Sequence, residues 1–260
     1  MPKTVLITGA TGGLGQALCR EFAKRQFDLL VTARSKQNLD ALAVALRRGF
    51  GVSVTAFAAD LNQPDAARKL FVEVRDSGHR IDILVNNAGF GMGGFFFHNR
   101  LRSQEAMLRV NVLTPTKLCR MFLPAMRERG GGKILNICSV GSIYPGPFNA
   151  VYCASKAYLL SLSEALAEEL CGMGVTVTAV CPGAIHTGFA HRADMETTRL
   201  FNWYVMDPAD VAREAFLGLM AGRRIVVPGG FNRAMIAMQR LLPRCVSAKL
   251  SGMYQRQFKV

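Results

Sequence analysis

The sequence predicts an α/β protein: a doubly wound parallel sheet of about seven strands with helices on both faces. Short runs rich in Val, Ile and Leu alternate with longer segments of helical period along the chain. Those runs are near-continuously apolar rather than alternating, which is the pattern of a parallel sheet buried on both faces. A glycine-rich turn, Thr8 to Gly15, joins the first run to the first helical segment.

Taken in order, Val5 to Thr8 opens the sheet and a helix at Leu14 to Arg25 follows. Leu29 to Ala33 with Gln37 to Arg48 makes the second strand and helix, and Val52 to Ala58 with Pro64 to Ser77 the third. Ile81 to Asn86 leads into a long helix at Arg102 to Arg129, and Lys133 to Cys138 into a helix at Tyr152 to Cys171. Val175 to Val180, a helix at Pro208 to Ala221 and a last strand at Arg224 to Val227 complete the set. Units of this kind wind right-handedly and place ligands beyond the carboxyl ends of the strands. No linker, repeat or low-complexity tract interrupts them. Residues 1–228 are expected to form one such domain, with 229–260 as a basic amphipathic extension packed on it.

With 260 residues, half of them apolar and 19% charged, the chain can bury a large core. Its seven cysteines, Cys19, Cys119, Cys138, Cys153, Cys171, Cys181 and Cys245, are scattered, odd in number and free of C-x-x-C spacing. Neither a metal site nor a disulfide framework follows, and a reducing cytosol is the expected setting. Met1-Pro2-Lys3 runs straight into Val5-Leu6-Ile7, which is expected to leave no room for a signal peptide. No apolar stretch is long enough to span a bilayer.

The formal charge of +14 makes nucleic acid, an acidic membrane or an anionic ligand candidate partners. After Glu214 there is no acidic residue, while Arg223, Arg224, Arg233, Arg240, Arg244, Lys249, Arg256 and Lys259 are all basic. No basic helix carries a recognisable nucleic-acid motif, so nucleic acid is not expected.

The turn Thr8-Gly9-Ala10-Thr11-Gly12-Gly13-Leu14-Gly15 would offer bare N–H groups at a helix N-terminus to a pyrophosphate. A free ribose 2'-hydroxyl usually meets a carboxylate at the end of the second strand, but Ala33-Arg34-Ser35 stands there. Arg34 and Ser35 suit a 2'-phosphate instead, which favours NADP(H) over NAD. Asp60-Leu61 follows the third strand, where the carboxylate could accept from an adenine amino group. Asn86-Asn87-Ala88-Gly89 closes the fourth, where amides can tie loops together and small residues admit a ribose.

Tyr152 and Lys156 are spaced i, i+4 at the start of a helix, which puts phenol and ammonium on one face. A neighbouring cation is expected to lower the phenol's pKa and make it a usable proton shuttle. Ser139 ends the fifth strand thirteen residues earlier, where its hydroxyl could share one substrate oxygen with the phenol.

In order and spacing, Thr8-Gly9-x-x-x-Gly13-x-Gly15, Asn86-Asn87-Ala88-Gly89, Asn111, Ser139, Tyr152-x-x-x-Lys156 and Pro182-Gly183 with Thr187 closely resemble the short-chain dehydrogenase/reductase family. The resemblance runs across nearly the whole chain and implies a Rossmann fold. It also implies a catalytic tetrad. Tyr152 would be the acid in reduction and the base in oxidation, and Ser139 would polarise the carbonyl. Lys156 would hold the nicotinamide ribose, and Asn111 would support a proton path to it. Pro182, Gly183 and Thr187 would border the nicotinamide, and a homo-oligomer is implied as well.

The expected reaction interconverts a small hydrophobic ketone or aldehyde and its alcohol. The aromatics Phe95, Phe96 and Phe97, the segment Tyr144 to Phe148, Phe189 and the segment Leu200 to Met206 are expected near the substrate. Reduction of a 3-oxoacyl group on an acidic carrier is an alternative, and a non-catalytic NADP-binding or nucleic-acid-binding protein a further one. Over 231–260, Met235, Ile236, Met238, Leu241, Leu242, Val246, Leu250, Met253 and Phe258 are interleaved with basic residues, and Pro243 should break the helix. This resembles an interfacial amphipathic segment, expected to touch anionic membrane or an acidic carrier of the substrate, or to pack on the domain with a solvated basic face.

Overall fold

The computed structural model describes residues 2–188 and 204–255. Strands β1 (Thr4–Thr8), β2 (Asp28–Ala33), β3 (Val54–Ala58), β4 (Ile83–Asn86), β5 (Gly132–Ile137), β6 (Val175–Val180) and, after a gap in sequence, β9 (Ile225–Val226) form one sheet. All its pairings are parallel, in the order β3-β2-β1-β4-β5-β6-β9. A separate ladder pairs β7 (Ala184–Ile185) with β8 (Val205–Met206), and no reading of the sequence anticipates it.

The continuous apolar runs have the expected consequence. Every residue of β1 and β4 is buried, and successive side chains feed opposite layers. Val5 and Ile7 join a core with α1 (Gly13–Ala23), α2 (Lys36–Phe50) and α7 (Pro208–Met220). Leu6 points into the other core, with Leu70 of α3 (Ala66–Asp76) and Leu118 and Phe122 of α5 (Thr114–Glu128). Phe22, Phe27 and Phe216 meet edge to face at 5.0–5.9 Å, which locks α1 to α7. At the sheet's edge, β3 fully buries only Val54.

Where the sequence predicts one long helix, the chain forms α4 (Leu101–Leu108), a π-helical segment (Arg109–Leu113) and α5, run end to end. The period of apolar residues cannot register one extra residue in a turn. Pro124 inside α5 is tolerated. Strand β9 is shorter than predicted, since Pro228 follows closely and has no N–H to donate. Helix α6 (Ala150–Glu169) carries Tyr152 and Lys156 in its first turns. The C-terminal region forms α8 (Gly230–Leu241) and α9 (Arg244–Gln255), separated at Leu242-Pro243. No helix among the described residues is long and apolar enough to cross a membrane.

Candidate active site

The sheet order reverses between β1 and β4, and the loops leaving their carboxyl ends separate into a cleft of about 890 Å³. That is toward the upper end of the ~300–1,000 Å³ range of small-molecule sites. Gly9, Thr11, Gly13, Leu14, Gly15, Arg34, Ser35, Asp60, Leu61, Asn87, Ala88, Gly89, Ser139, Tyr152, Lys156, Pro182, Gly183 and Thr187 all line it. Asn111 stands behind the wall, buried in the π-segment.

The glycine-rich turn is held open from below. Gly9 adopts φ +65°, and a Cβ there would lie 2.8 Å from the Cα of Ala88. At Gly15 a Cβ would lie 2.2 Å from the Gly9 carbonyl oxygen, so the helix can start this close to the strand only with glycine. Asn87 ties the turn to β4: its Nδ2 donates to the carbonyls of Thr8 and Gly9 at 2.8 and 3.1 Å. The Thr8 hydroxyl accepts from the N–H groups of Asn87 and Ala88, both at 3.0 Å. No described side chain caps α1, and no acidic residue stands in its first turn. This cradle fits a dinucleotide's pyrophosphate.

At the end of β2, Arg34 is exposed, and Ser35 caps α2 by accepting from the Asn38 N–H at 3.3 Å. Among the described residues, no carboxylate lines the cleft at this strand end. Asp60 lines the cleft, but both its oxygens are engaged in a local turn, with the Asn62 N–H at 3.2 Å and the Gln63 amide at 3.0 Å. Leu61 is buried beside it, its carbonyl accepting from the Thr114 hydroxyl.

At the other end, Ser139 follows β5 and opens a single 3-10 turn at Val140–Ser142, its Oγ accepting from the Gly141 N–H at 3.1 Å. The Ser139 hydroxyl and the Tyr152 phenol line the cleft together, and Ser139 favours ionisation of the phenol. Lys156 is buried, and its Nζ donates to the Ile137 carbonyl at 2.7 Å. A Cβ at Gly89 would lie 3.1 Å from the Asn111 Oδ1 and 3.3 Å from the Lys156 Nζ, so three elements converge on that one small residue. The Asn111 amide bridges the Phe90 backbone and the Ser155 hydroxyl, at 2.9–3.1 Å.

One expectation is corrected. Burial holds the Tyr152 phenol above its ordinary pKa, the neighbouring Ser139 side chain only partly opposing the rise. Lys156 does not reverse it. Its ammonium lies 5.9 Å from the centre of the phenol ring, and burial lowers its own pKa. Burial raises the phenol and lowers the ammonium, so both lean toward their neutral forms.

Among the expected substrate-side aromatics, Tyr144 lines the cleft. Phe95, Phe96 and Phe97 do not; they project outward on an exposed turn. Phe148 packs edge-on against Phe95 at 5.1 Å, in the left-handed region at φ +62°. A bulky residue held there is strained by roughly 1–2 kcal/mol. Phe189 and residues 200–203 lie outside the described residues.

The sequence reading missed Asn232. This α8 side chain is buried, donates to the Pro228 carbonyl at 2.8 Å and sits 2.5 Å from where a Cβ on Gly183 would be. Glycine at 183 therefore admits α8 against the loop of Pro182 and Gly183. It missed, too, the buried chain Asn86 to Asn136 to Ser163, each link 2.8 Å, which fixes α6 to the sheet.

The family model for short chain dehydrogenases matches residues 3–197. Ketoacyl reductase HetN from Nostoc sp. is 37% identical over 183 residues, spanning 70% of this chain but 63%, under two thirds, of that protein. Human 17-beta-hydroxysteroid dehydrogenase 13 is 28% identical over 260 residues, 99% of this chain and 85% of that protein. A solved short-chain dehydrogenase from Sphingobium yanoikuyae in complex with NADPH superposes with a TM-score of 0.82 at 32% identity, covering 94% of this chain and 97% of that one.

Proposed function

Because the chain belongs to the short chain dehydrogenase family of oxidoreductases, we propose that it is an NADP(H)-dependent reductase of hydrophobic ketones or aldehydes. The observation that carries this reading is a single cleft lined by Ser139, Tyr152 and Lys156 at one end and by Arg34 at the other.

The nicotinamide, when bound, supplies the hydride; the protein supplies position and charge. The turn from Gly9 to Gly15 and the N-terminus of α1 hold the pyrophosphate. Arg34 and Ser35 take the 2'-phosphate, with Asp60 and Leu61 near the adenine. Asn87, Ala88, Gly89 and Lys156 hold the ribose at the nicotinamide end, and Pro182, Gly183 and Thr187 border the ring. Ser139 hydrogen-bonds the substrate oxygen while Tyr152, neutral through burial, delivers its proton to it. Asn111, fixed beside Lys156 at Gly89, positions the ammonium from behind. The NADPH-bound neighbour supports the nucleotide, and the steroid-named relative an apolar substrate.

The test is NADPH oxidation against a panel of hydrophobic ketones and aldehydes, with NADH and Tyr152→Phe as controls. Turnover that is lost in the variant and poor with NADH is the expected result. No NADPH binding, or turnover surviving the substitution, rejects the reading. The likeness to a ketoacyl reductase and to a 3-oxoacyl-[acyl-carrier-protein] reductase favours one second reading, a 3-oxoacyl group on an acidic carrier. Faster reduction of the carrier-bound group than of the free ketone would select it.

A further inference from the structure

We propose that the exposed turn Phe95–Phe97 and helices α8 and α9 form one apolar, basic surface that docks on an anionic phospholipid membrane beside the substrate end of the cleft. The surface is continuous. Phe95 packs on Phe148, and the neighbouring Pro147 meets α9, where a methyl on Gly252 would lie 3.4 Å from its ring. Tyr144, three residues before Pro147, lines the cleft.

Ordered backbone displays the aromatics. The Phe96 carbonyl accepts from the buried Gln104 at 2.9 Å, and the His98 N–H closes a turn onto Phe95. Phe97 is nonetheless 73% exposed. On α8 and α9 the buried positions are Asn232, Ile236, Ser247 and Ser251, whereas Phe231, Met238, Leu241, Val246 and Met253 face solvent, Leu241 at 86%. Five of the larger apolar side chains on these helices thus point away from the protein, while Ile236 alone is buried and Met235 and Leu250 are half-buried, more exposed apolar surface than a helix built only to cover a core would leave.

Charge selects the occupant. Residues 95–103 and 230–255 contain no acidic side chain. Arg100, Arg102, Arg244 and Lys249 are exposed and form no ion pair among the described residues. A second copy of the same face would oppose like charges, whereas an anionic lipid surface matches them while taking the apolar side chains between its headgroups. An apolar ketone dissolved in that layer would then reach the cleft without crossing bulk water. This last step rests on the reductase reading; the docking does not, because vesicle binding is measured without nucleotide.

The full chain is sedimented with vesicles of phosphatidylcholine mixed with phosphatidylserine, and with pure phosphatidylcholine, at low and high salt. Binding to the mixed vesicles at low salt, weakened by salt, is expected. Lys249→Gln should weaken it about fivefold, from the attraction of one cation near an anionic leaflet. Leu241→Ser should weaken it about tenfold, from lost apolar insertion. Both side chains are exposed, so an unchanged unfolding midpoint checks the fold, and Val246→Ser is the second apolar variant. No binding to mixed vesicles at low salt, equal binding to pure phosphatidylcholine, or binding that neither apolar variant alters overturns the proposal. So does a dimer that Leu241→Ser dissociates while vesicles fail to compete for it.

Discussion

At the Tyr152 end of the cleft, half-buried Tyr152 and Ser139 stand in front of buried Lys156 and Asn111; at the Arg34 end the guanidinium stands in solvent. Lys156 and Asn111 are 4% and 1% exposed, and every hydrogen bond given above for them stays within the protein. Arg34 has no such enclosure. Buried polar groups interact strongly and are costly to leave unpaired, whereas an exposed cation is screened. On the function proposed above, the inner end would govern rate and folding, and the outer end which nucleotide is preferred.

The sharpest way to break that division is Tyr152→Phe. It deletes the proposed proton donor, the phenol that faces Ser139 in the cleft, while keeping the ring in place. kcat should fall by about 10²–10⁴-fold, the usual worth of a positioned acid, with the NADPH dissociation constant nearly unchanged. A loss under threefold would mean that the proton comes from elsewhere.

Next in size is Asn136→Leu, read by chemical denaturation rather than by activity. The Asn136 amide links Asn86 on β4 to Ser163 on α6, so the substitution takes one hydrogen bond from each of two buried partners. A loss of about 1–3 kcal/mol is expected. An unchanged midpoint would show that the network does not hold α6 on the sheet. Arg34→Ser is the smaller, outer counterpart. The KM for NADPH should rise about tenfold, as one exposed charge-assisted contact is removed, with kcat and the KM for NADH unaltered. Raising the salt concentration in the wild type should move NADPH affinity the same way. If Arg34→Ser leaves both nucleotides unaffected, the 2'-phosphate is held elsewhere.

The same contrast explains how far the sequence could be read. The strand ends were legible because continuous apolar runs and the residues that punctuate them are local signals, as at Thr8 to Gly15 and at Tyr152 with Lys156. Asn232 was not, because it meets Gly183 only through the docking of α8, 49 residues further along the chain. The π-segment escaped because Asn111 keeps its place on an apparently regular helix. The state of the phenol escaped for a deeper reason. Spacing places a cation near Tyr152, but whether attraction or desolvation wins depends on how much protein covers both, and only the fold determines that.

That last point yields the prediction with the smallest expected effect, a titration that does not move. Burial raises the Tyr152 pKa in the folded chain above its unfolded value, so folding favours the protonated phenol. Its contribution to stability is present throughout the range below the unfolded tyrosine pKa of about 10, and is lost only as pH climbs through the higher folded value. In the nucleotide-free protein, the difference in tyrosinate absorbance between wild type and Tyr152→Phe should stay at zero from pH 6 to about 10. For the same reason the reductive kcat should not fall across that range from loss of the Tyr152 proton. A tyrosinate signal that grows in between pH 7 and 8 would mean that the Lys156 ammonium dominates after all, and the inner end of the cleft would then be governed by charge rather than by burial.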